Sequence, residues 1–224
     1  MSSDTQKAYE TLKQRVLTGY YKPGTQLKEE PLAEEFSMSR TPIRGALKRL
    51  VGDALAMAEP GRGVYVAAWT EWDIEEVFQL RLLLEPFSAQ LAAERRDDAD
   101  LAVLASSNEQ MRQAIERGGS QAAERAQAAN RLFHQTLLRA SRSHRLQSML
   151  ETMIDMPIIV RSFHLYSPAD MRRSLNHHLD LTLAVQERNG DLAREVMQLH
   201  LMMTRQRFMT ARKAAEEASR AGAG

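Results

Sequence analysis

Three histidines, His134, His178 and His200, are spaced so that helical packing could bring their imidazoles to one metal ion. His178 precedes Gly190 by 12 residues and His200 follows it by 10, on two helices that this glycine would separate. Because a helix rises about 1.5 Å per residue, antiparallel packing would place both imidazoles at a similar height. Asn130 lies four residues before His134, on the same face of a third helix. Imidazole and amide ligands in a helical bundle are typical of a divalent first-row metal, with zinc, nickel or manganese as candidates.

Each of these side chains also has a simpler interpretation. A single inward-facing histidine is more often a hydrogen-bonded core residue than a metal ligand. Asn130 lacks the charge of a carboxylate, so four neutral ligands would either bind the metal weakly or leave its full +2 charge to attract an anion more strongly. His177 is expected to be solvated or to lie behind the ligands, whereas His144 and His164 have no identifiable partner.

A second chemically active group is cationic and falls in residues 39–50. Ser39 is expected to cap a short helix whose first turn contains Pro42, where a missing N–H costs nothing. Its basic residues lie together with no acid between them: Arg40, Arg44, Lys48 and, beside them, Arg49. Its apolar residues would dock the opposite face: Ile43, Ala46, Leu47 and Leu50. Such a helix is suited to lie against a polyanion.

The segments on either side of this helix predict a winged helix-turn-helix. Residues 31–36 form a short helix, and Ser37-Met38 forms the turn before the basic helix. Residues 55–59 and 64–67 predict two strands, joined by residues 60–63, where two glycines permit the positive φ angles of a tight hairpin and an arginine lies at the tip. The alternative is a solvated basic helix in an ordinary helical domain.

From residue 71 onward the apolar spacing is helical throughout. Breaks at Gly118-Gly119, at residues 141–143 and at Asn189-Gly190 divide this part into six predicted helices, near 71–95, 98–117, 120–140, 143–166, 168–189 and 191–216. The chain is therefore expected to be mostly α. The predicted domains are a winged helix-turn-helix with a small β-wing in 1–68, an all-helical six-helix bundle in 69–216 and a disordered tail in 217–224.

Composition is consistent with a cytoplasmic protein that acts on DNA, but it does not by itself indicate one. The 224 residues suit one small and one medium domain. The absence of cysteine excludes disulfides and thiol chemistry, and no long apolar run suggests a signal peptide or a membrane span. The net charge is only +1, so affinity for nucleic acid must come from local charge placement.

The first domain resembles the DNA-binding domain of the GntR family of bacterial transcription regulators. The matching residues are Gly19, Pro23-Gly24, Leu27, Leu32-Ala33, most of Ser39 to Leu50, and Gly63 to Val66. Gly45 departs from the family, which usually has an acidic residue there, and a helical glycine costs up to about 1 kcal/mol relative to alanine. The resemblance implies that the basic helix contacts the major groove and that the wing approaches the minor groove. The predicted DNA-binding residues are Ser39, Arg40, Thr41, Arg44, Lys48, Arg49, Gly61 and Arg62.

The second domain resembles the six-helix effector-binding domain of the FadR branch of this family, the VanR-like FCD domain. Its metal motif is an Asp four residues before a His, followed by one His on each of the last two helices. The predicted metal residues are therefore Asn130, in place of the Asp, with His134, His178 and His200. The resemblance also implies a small organic acid bound over the metal, with Arg81 gripping its carboxylate through two parallel hydrogen bonds. Alternatively, Arg81 only pairs with Glu85 along its own helix.

Together these features predict a homodimeric transcription regulator, most often a repressor, and not an enzyme. It would bind a palindromic double-stranded operator, because a two-fold symmetric dimer reads two half-sites. A small carboxylate at the metal site would modulate that binding. One alternative is a winged-helix regulator whose metal and effector pocket is vacant or purely structural. A less favoured alternative is a metal-dependent hydrolase, for which the sequence offers no general base at a defined spacing.

Overall fold

The computed structural model describes residues 3–17, 19–68, 70–154 and 166–221, and it contains two units whose boundary along the chain falls between Ile74 and Glu75. The first unit contains three helices: α1 (Ser3–Leu17), α2 (Glu29–Glu35) and α3 (Arg40–Gly52). Its core is built where α1 and α3 face each other, and the side chains of Leu12, Ile43 and Leu50 are completely buried there. The apolar spacing of the two helices therefore fixes how α3 is presented.

A three-stranded antiparallel sheet forms the wing of this unit. Its strands are β1 (Gln26–Leu27), β2 (Ala56–Glu59) and β3 (Gly63–Val66), in the order β1-β3-β2. The hairpin between β2 and β3 is confirmed, and Gly61 and Gly63 have the positive φ angles, 74° and 112°, that its turn requires. β1 is absent from the sequence prediction because two residues are too short to show an alternating pattern.

Two details at the starts of helices differ from the predictions. α2 begins at Glu29 rather than at Pro31, because proline is tolerated in the first turn, where its missing N–H has no helical partner. Ser39 occupies the N-cap position of α3 with extended backbone, as predicted, but its hydroxyl makes no capping hydrogen bond. The first turn of α3 is therefore not closed by that side chain.

Glycine at position 45 is explained by the packing of α1 on α3. A Cβ atom built on Gly45 would lie only 2.9 Å from the Cγ2 atom of Thr5, closer than such atoms pack. The helix α3 therefore accepts the conformational cost of a glycine because α1 passes directly over this position.

In the part of the chain that the structure describes, six helices follow, as predicted: α4 (Glu71–Arg95), α5 (Asp98–Arg117), α6 (Ala122–Ala140), α7 (His144–Ile154), α8 (Pro168–Gln186) and α9 (Gly190–Ala221). The expected start signals are present. Thr70 and Asp73 cap α4 reciprocally, and Ser167 and Asp170 form a capping box before α8. Asn189 caps α9 through its side-chain oxygen.

For two helices of this unit, α7 and α9, the predicted ends differ from the bounds that the structure describes. The helix predicted over 143–166 is seen as α7 up to Ile154, and residues 155–165, which include His164, lie outside the described residues. The last helix continues to Ala221, whereas the prediction places a disordered tail in 217–224. The segment after Arg212 is rich in alanine, glutamate and lysine, which are strong helix formers, and this accounts for the longer helix.

The core of the second unit lies where α4, α6, α8 and α9 meet. Small residues of α4 allow close approach, and larger side chains of the other helices fill the space between them: Ala89, Ala92, Phe133, Leu137, Leu181, Val185, Met197 and Leu201. Within the described ranges, no helix combines the length and the apolar character needed to cross a membrane. These four helices also carry the buried polar residues described next.

Candidate metal centre and nucleic-acid interface

The helix α3 presents its polar side to solvent. Ser39, Arg40, Thr41, Arg44 and Lys48 are exposed, while the opposite side of the helix is buried in the core. An open cleft lies between this surface and the wing, and its walls include Arg40, Arg44, Lys48, Gly63 and Val64. Gly61 and Arg62 are exposed at the wing tip, where Arg62 forms an ion pair with Glu59. The structure therefore brings most of the predicted DNA-binding residues to one exposed region.

Arg49 is placed differently from the other basic residues. Its guanidinium lies 3.7 Å from the centroid of the Tyr9 ring and donates a 2.6 Å hydrogen bond to Gln6 of α1. Each residue turns a helix by about 100°, so Arg49 points about 180° away from Arg40. Arg49 therefore faces α1, and the structure does not group it with Arg40, Arg44 and Lys48.

Two acidic residues of α2 contact the basic face of α3. Arg44 donates from Nε and Nη2 to the two carboxylate oxygens of Glu29, at 2.8 and 2.7 Å. Arg40 donates to Glu30 at 2.8 Å. Hydrogen bonds from Arg44 lower the pKa of Glu29. These partners are missing from the sequence prediction because they are 10 to 15 residues away, on a different helix.

The three predicted histidine ligands come together in the second unit. His134 on α6, His178 on α8 and His200 on α9 are all buried, and one nitrogen from each lies within 4.8 Å of the others. Their ring centroids are 5.0 to 5.4 Å apart. The ring of Phe133 stacks on that of His178 at 4.0 Å and is nearly parallel to it, which fixes the plane of this imidazole.

Glu85 is the residue of this site that the sequence prediction did not assign. Its carboxylate accepts a hydrogen bond from Nε of Arg81 and lies 2.8 Å from Nδ1 of His134 through its second oxygen. All three side chains are buried. Burial alone would raise the pKa of Glu85, but the charge of Arg81 and the hydrogen bonds from His134 and Arg81 outweigh it and lower the pKa to about 2. An ionised carboxylate can only accept, so Nδ1 of His134 carries the hydrogen, and Nε2 is the nitrogen left to bind a metal ion.

Several buried polar atoms around the cluster have no hydrogen-bond partner among the described residues. They are Nη1 of Arg81, both ring nitrogens of His178 and Nδ1 of His200. Burial lowers the pKa values of His178 and His200 well below 6.5, with further lowering from neighbouring histidines. Neutral imidazoles with unused lone pairs are the form that binds metal, so the donor set fits a divalent ion.

The remaining candidates lie at the edge of this cluster. Asn130 is half-buried, one turn before His134 on α6. His177 is also half-buried, its ring centroid is 5.7 Å from that of His200, and burial lowers its pKa. It therefore lies behind the ligands rather than in solvent. His144 is exposed at the start of α7.

A winged helix-turn-helix with an exposed basic helix, followed by an all-helical unit, is the architecture of a DNA-binding transcription regulator. Residues 4–66 match the family described as bacterial regulatory proteins, gntR family, and residues 76–202 match the FCD domain. The chain belongs to the GntR family and carries an FCD domain. Its relatives are transcription regulators, so the expectation that it is not an enzyme is confirmed.

Individual relatives agree with this assignment. The HTH-type transcriptional regulator McbR of Escherichia coli is 32% identical over 204 residues, which cover 88% of this chain and 90% of McbR. The gluconate operon transcriptional repressor of Bacillus subtilis is 31% identical, covering 79% of this chain and 73% of the repressor. The solved structure of E. coli McbR superposes with a TM-score of 0.72, covering 92% of this chain and 99% of that one.

Proposed function

We propose that this protein is a cytoplasmic, homodimeric repressor whose binding to a palindromic operator responds to a small organic acid held at a metal site. The observation that carries the sensing part is the buried group formed by His134, His178 and His200 together with Arg81 and Glu85. Unpartnered polar atoms are costly inside a protein. Their concentration in one place favours a ligand there over a purely structural cluster.

His134, His178 and His200 would hold the metal ion, with zinc, nickel or manganese as candidates and Asn130, one turn before His134 on α6, as the fourth ligand. When bound, the ion supplies a positive charge that attracts an anion. Histidine binds a metal ion as neutral imidazole and Asn130 adds no charge, so this attraction would not be cancelled by the ligands themselves. As a neutral ligand, Asn130 would also bind the metal ion more weakly than a carboxylate would.

Arg81 would position the carboxylate of the effector. Its Nε donates to Glu85, which is the pairing along the same helix that the sequence offered as the alternative. Its Nη1 has no partner among the described residues. A carboxylate between this nitrogen and the metal would satisfy a buried donor that is otherwise left unpaired. Glu85 would then connect the residue that grips the effector with the metal ligand His134.

The DNA-binding part of the proposal places α3 in the major groove and the wing against the minor groove. Exposed basic residues on α3 and at the wing tip would provide the phosphate and base contacts. Effector binding would shift the protein between conformations that differ in how they present the two recognition helices of the dimer. Such a shift requires the effector to bind the two conformations with different affinity.

An exposed apolar surface on α4 and α9 supports the proposed dimer. The two helices run antiparallel, since a Cβ atom on Gly190 would contact Gln90 and the guanidinium of Arg205 is bonded to Glu75. Large apolar side chains are exposed at matching heights on both helices: Leu80, Leu83 and Phe87 on α4, and Leu192, Leu199 and Met202 on α9. An apolar surface of this kind is typical of a protein interface.

We expect Leu83→Glu to convert the dimer into a monomer, because it places a charge at the centre of the apolar surface. Sedimentation equilibrium measures the mass, which should fall from that of two chains to that of one. Leu179→Glu makes the same change at an exposed position on α8 and is expected to leave the dimer intact. A Leu83→Glu protein that keeps the mass of two chains would contradict the assignment of this surface.

The sensing function is tested by thermal denaturation with small carboxylates, with and without added Zn²⁺, Ni²⁺ or Mn²⁺. One acid should raise the melting temperature only when metal is present, and the same acid should release the protein from its DNA. His200→Gln is expected to lose the metal-dependent rise, whereas His144→Gln, at an exposed histidine of the same unit, should retain it. If neither metal nor acid changes the melting temperature, the alternative of a regulator with a vacant or structural pocket is supported.

A further inference from the structure

Arg44 of α3 is held in one orientation by Glu29 of α2. Two nearly parallel hydrogen bonds, 2.8 Å from Nε and 2.7 Å from Nη2, connect the guanidinium with both carboxylate oxygens. This two-point contact fixes the plane of the guanidinium as well as its position. The Glu29 side chain is 26% exposed and that of Arg44 is 56% exposed, so the fixed group still faces solvent.

The contact leaves the outer edge of the guanidinium available. A guanidinium has five N–H donors, and Glu29 uses one on Nε and one on Nη2. The three that remain are both hydrogens of Nη1 and one of Nη2. One hydrogen of Nη1 and the remaining one of Nη2 form the end-on pair of donors that matches the two acceptors of a guanine in the major groove.

The negative charge of Glu29 has a second effect at this surface. The carboxylate of Glu29 is ionised at neutral pH, since its ordinary pKa of 4.5 is already acidic and the hydrogen bonds from Arg44 lower it further. A carboxylate beside the cleft opposes the approach of phosphate groups, which carry most of the affinity for random DNA. The Glu29 carboxylate therefore weakens binding to random DNA, which depends on phosphate contacts alone, more than binding to an operator, which also includes a base contact.

We propose that Glu29 is a specificity-determining positioning residue: it orients Arg44 for one base pair of the operator and disfavours binding to DNA of random sequence. The inference rests on the proposed docking of α3 in the major groove. Glu30 acts similarly but less strongly on Arg40, to which it is joined by a single hydrogen bond. Neither acid itself contacts the DNA.

The test compares sequence preferences selected from a pool of random duplexes by the wild-type protein and by three variants. Arg44→Ala identifies the base pairs that Arg44 reads. Glu29→Gln removes the charge that holds Arg44. Glu34→Gln makes the same change at an exposed position of the same helix, whose side chain forms no ion pair with α3 among the described residues. Affinity for the selected duplex and for a random duplex is then measured for each protein at several salt concentrations, together with its melting temperature.

Glu29→Gln should lose preference, by about tenfold, at the same base pairs as Arg44→Ala. Its affinity for the random duplex should rise by about two- to fivefold, the ratio that corresponds to an exposed ion pair. Glu34→Gln should keep the full preference. A Glu29→Gln protein that matches Glu34→Gln in both measurements would overturn the proposal while the proposed docking stands. If the wild-type protein selects no sequence at all, the docking itself fails.

Discussion

Replacing Glu85 by glutamine should destabilise the protein by about 3–5 kcal/mol, because the change leaves Arg81 buried without its counter-charge. Glutamine has nearly the same shape, so the effect isolates the loss of charge. Arg81 and Glu85 are 2% and 3% exposed, and solvent cannot replace the missing carboxylate. Urea-induced unfolding in the presence of a chelator measures this loss without a contribution from metal.

The same change should weaken Zn²⁺ binding by about 10- to 100-fold, the usual effect of removing a carboxylate that orients a histidine ligand. Without Glu85, His134 is free to place its hydrogen on Nε2, the nitrogen that should bind the metal. Glu76→Gln, at an exposed position of the same helix, serves as the control and should change neither quantity by much. Unfolding and Zn²⁺ affinity that both match this control would show that Glu85 has no role in the site.

The metal-free protein should lose stability steeply as the pH falls below about 6.5. His178 and His200 have pKa values well below 6.5 in the folded protein because burial penalises their charged forms. In the unfolded chain both regain a pKa of about 6.5, so below that pH the unfolded state binds more protons. The stabilising contribution of the two neutral histidines is therefore present above pH 6.5. At lower pH the free energy of unfolding decreases, by up to about 2.7 kcal/mol per pH unit for two histidines.

Urea-induced unfolding between about pH 5 and pH 7.5, with chelator present, measures this slope. Glu85 does not contribute to it, since its pKa of about 2 in the folded protein and its ordinary value of 4.5 both lie below this range. A double variant, His178→Gln with His200→Gln, should show a much flatter dependence. An equally steep slope in the double variant would assign the pH dependence to other groups.

The fold was largely accessible from the sequence because its signals are local. Glycine pairs, capping residues and helical spacing predicted the breaks between the helices of the second unit, and a glycine-containing turn predicted the wing. β1 could not be predicted in the same way, because two residues form a strand only through their pairing with β3. The longer α9 reflects helix propensity that outweighs its polar composition.

The site was predictable only where spacing along the chain determines proximity. His178 and His200 are related by a single turn, so their positions predicted a shared height. Glu85 and Glu29 were not assigned because their partners, His134 and Arg44, lie on other helices, and the sequence does not give the packing of those helices. Arg49 shows a different limit: proximity in sequence to a basic stripe does not place a residue on the same face.

The contact between Gly45 and Thr5 has a consequence for how related sequences diverge. An acidic side chain at position 45, which is usual in the family, would begin with a Cβ atom 2.9 Å from the methyl group of Thr5. We therefore expect relatives with that acid to have a smaller side chain at the position of Thr5, a different rotamer there, or a shifted first helix. We therefore expect exchanges at positions 5 and 45 to be best tolerated when they occur together.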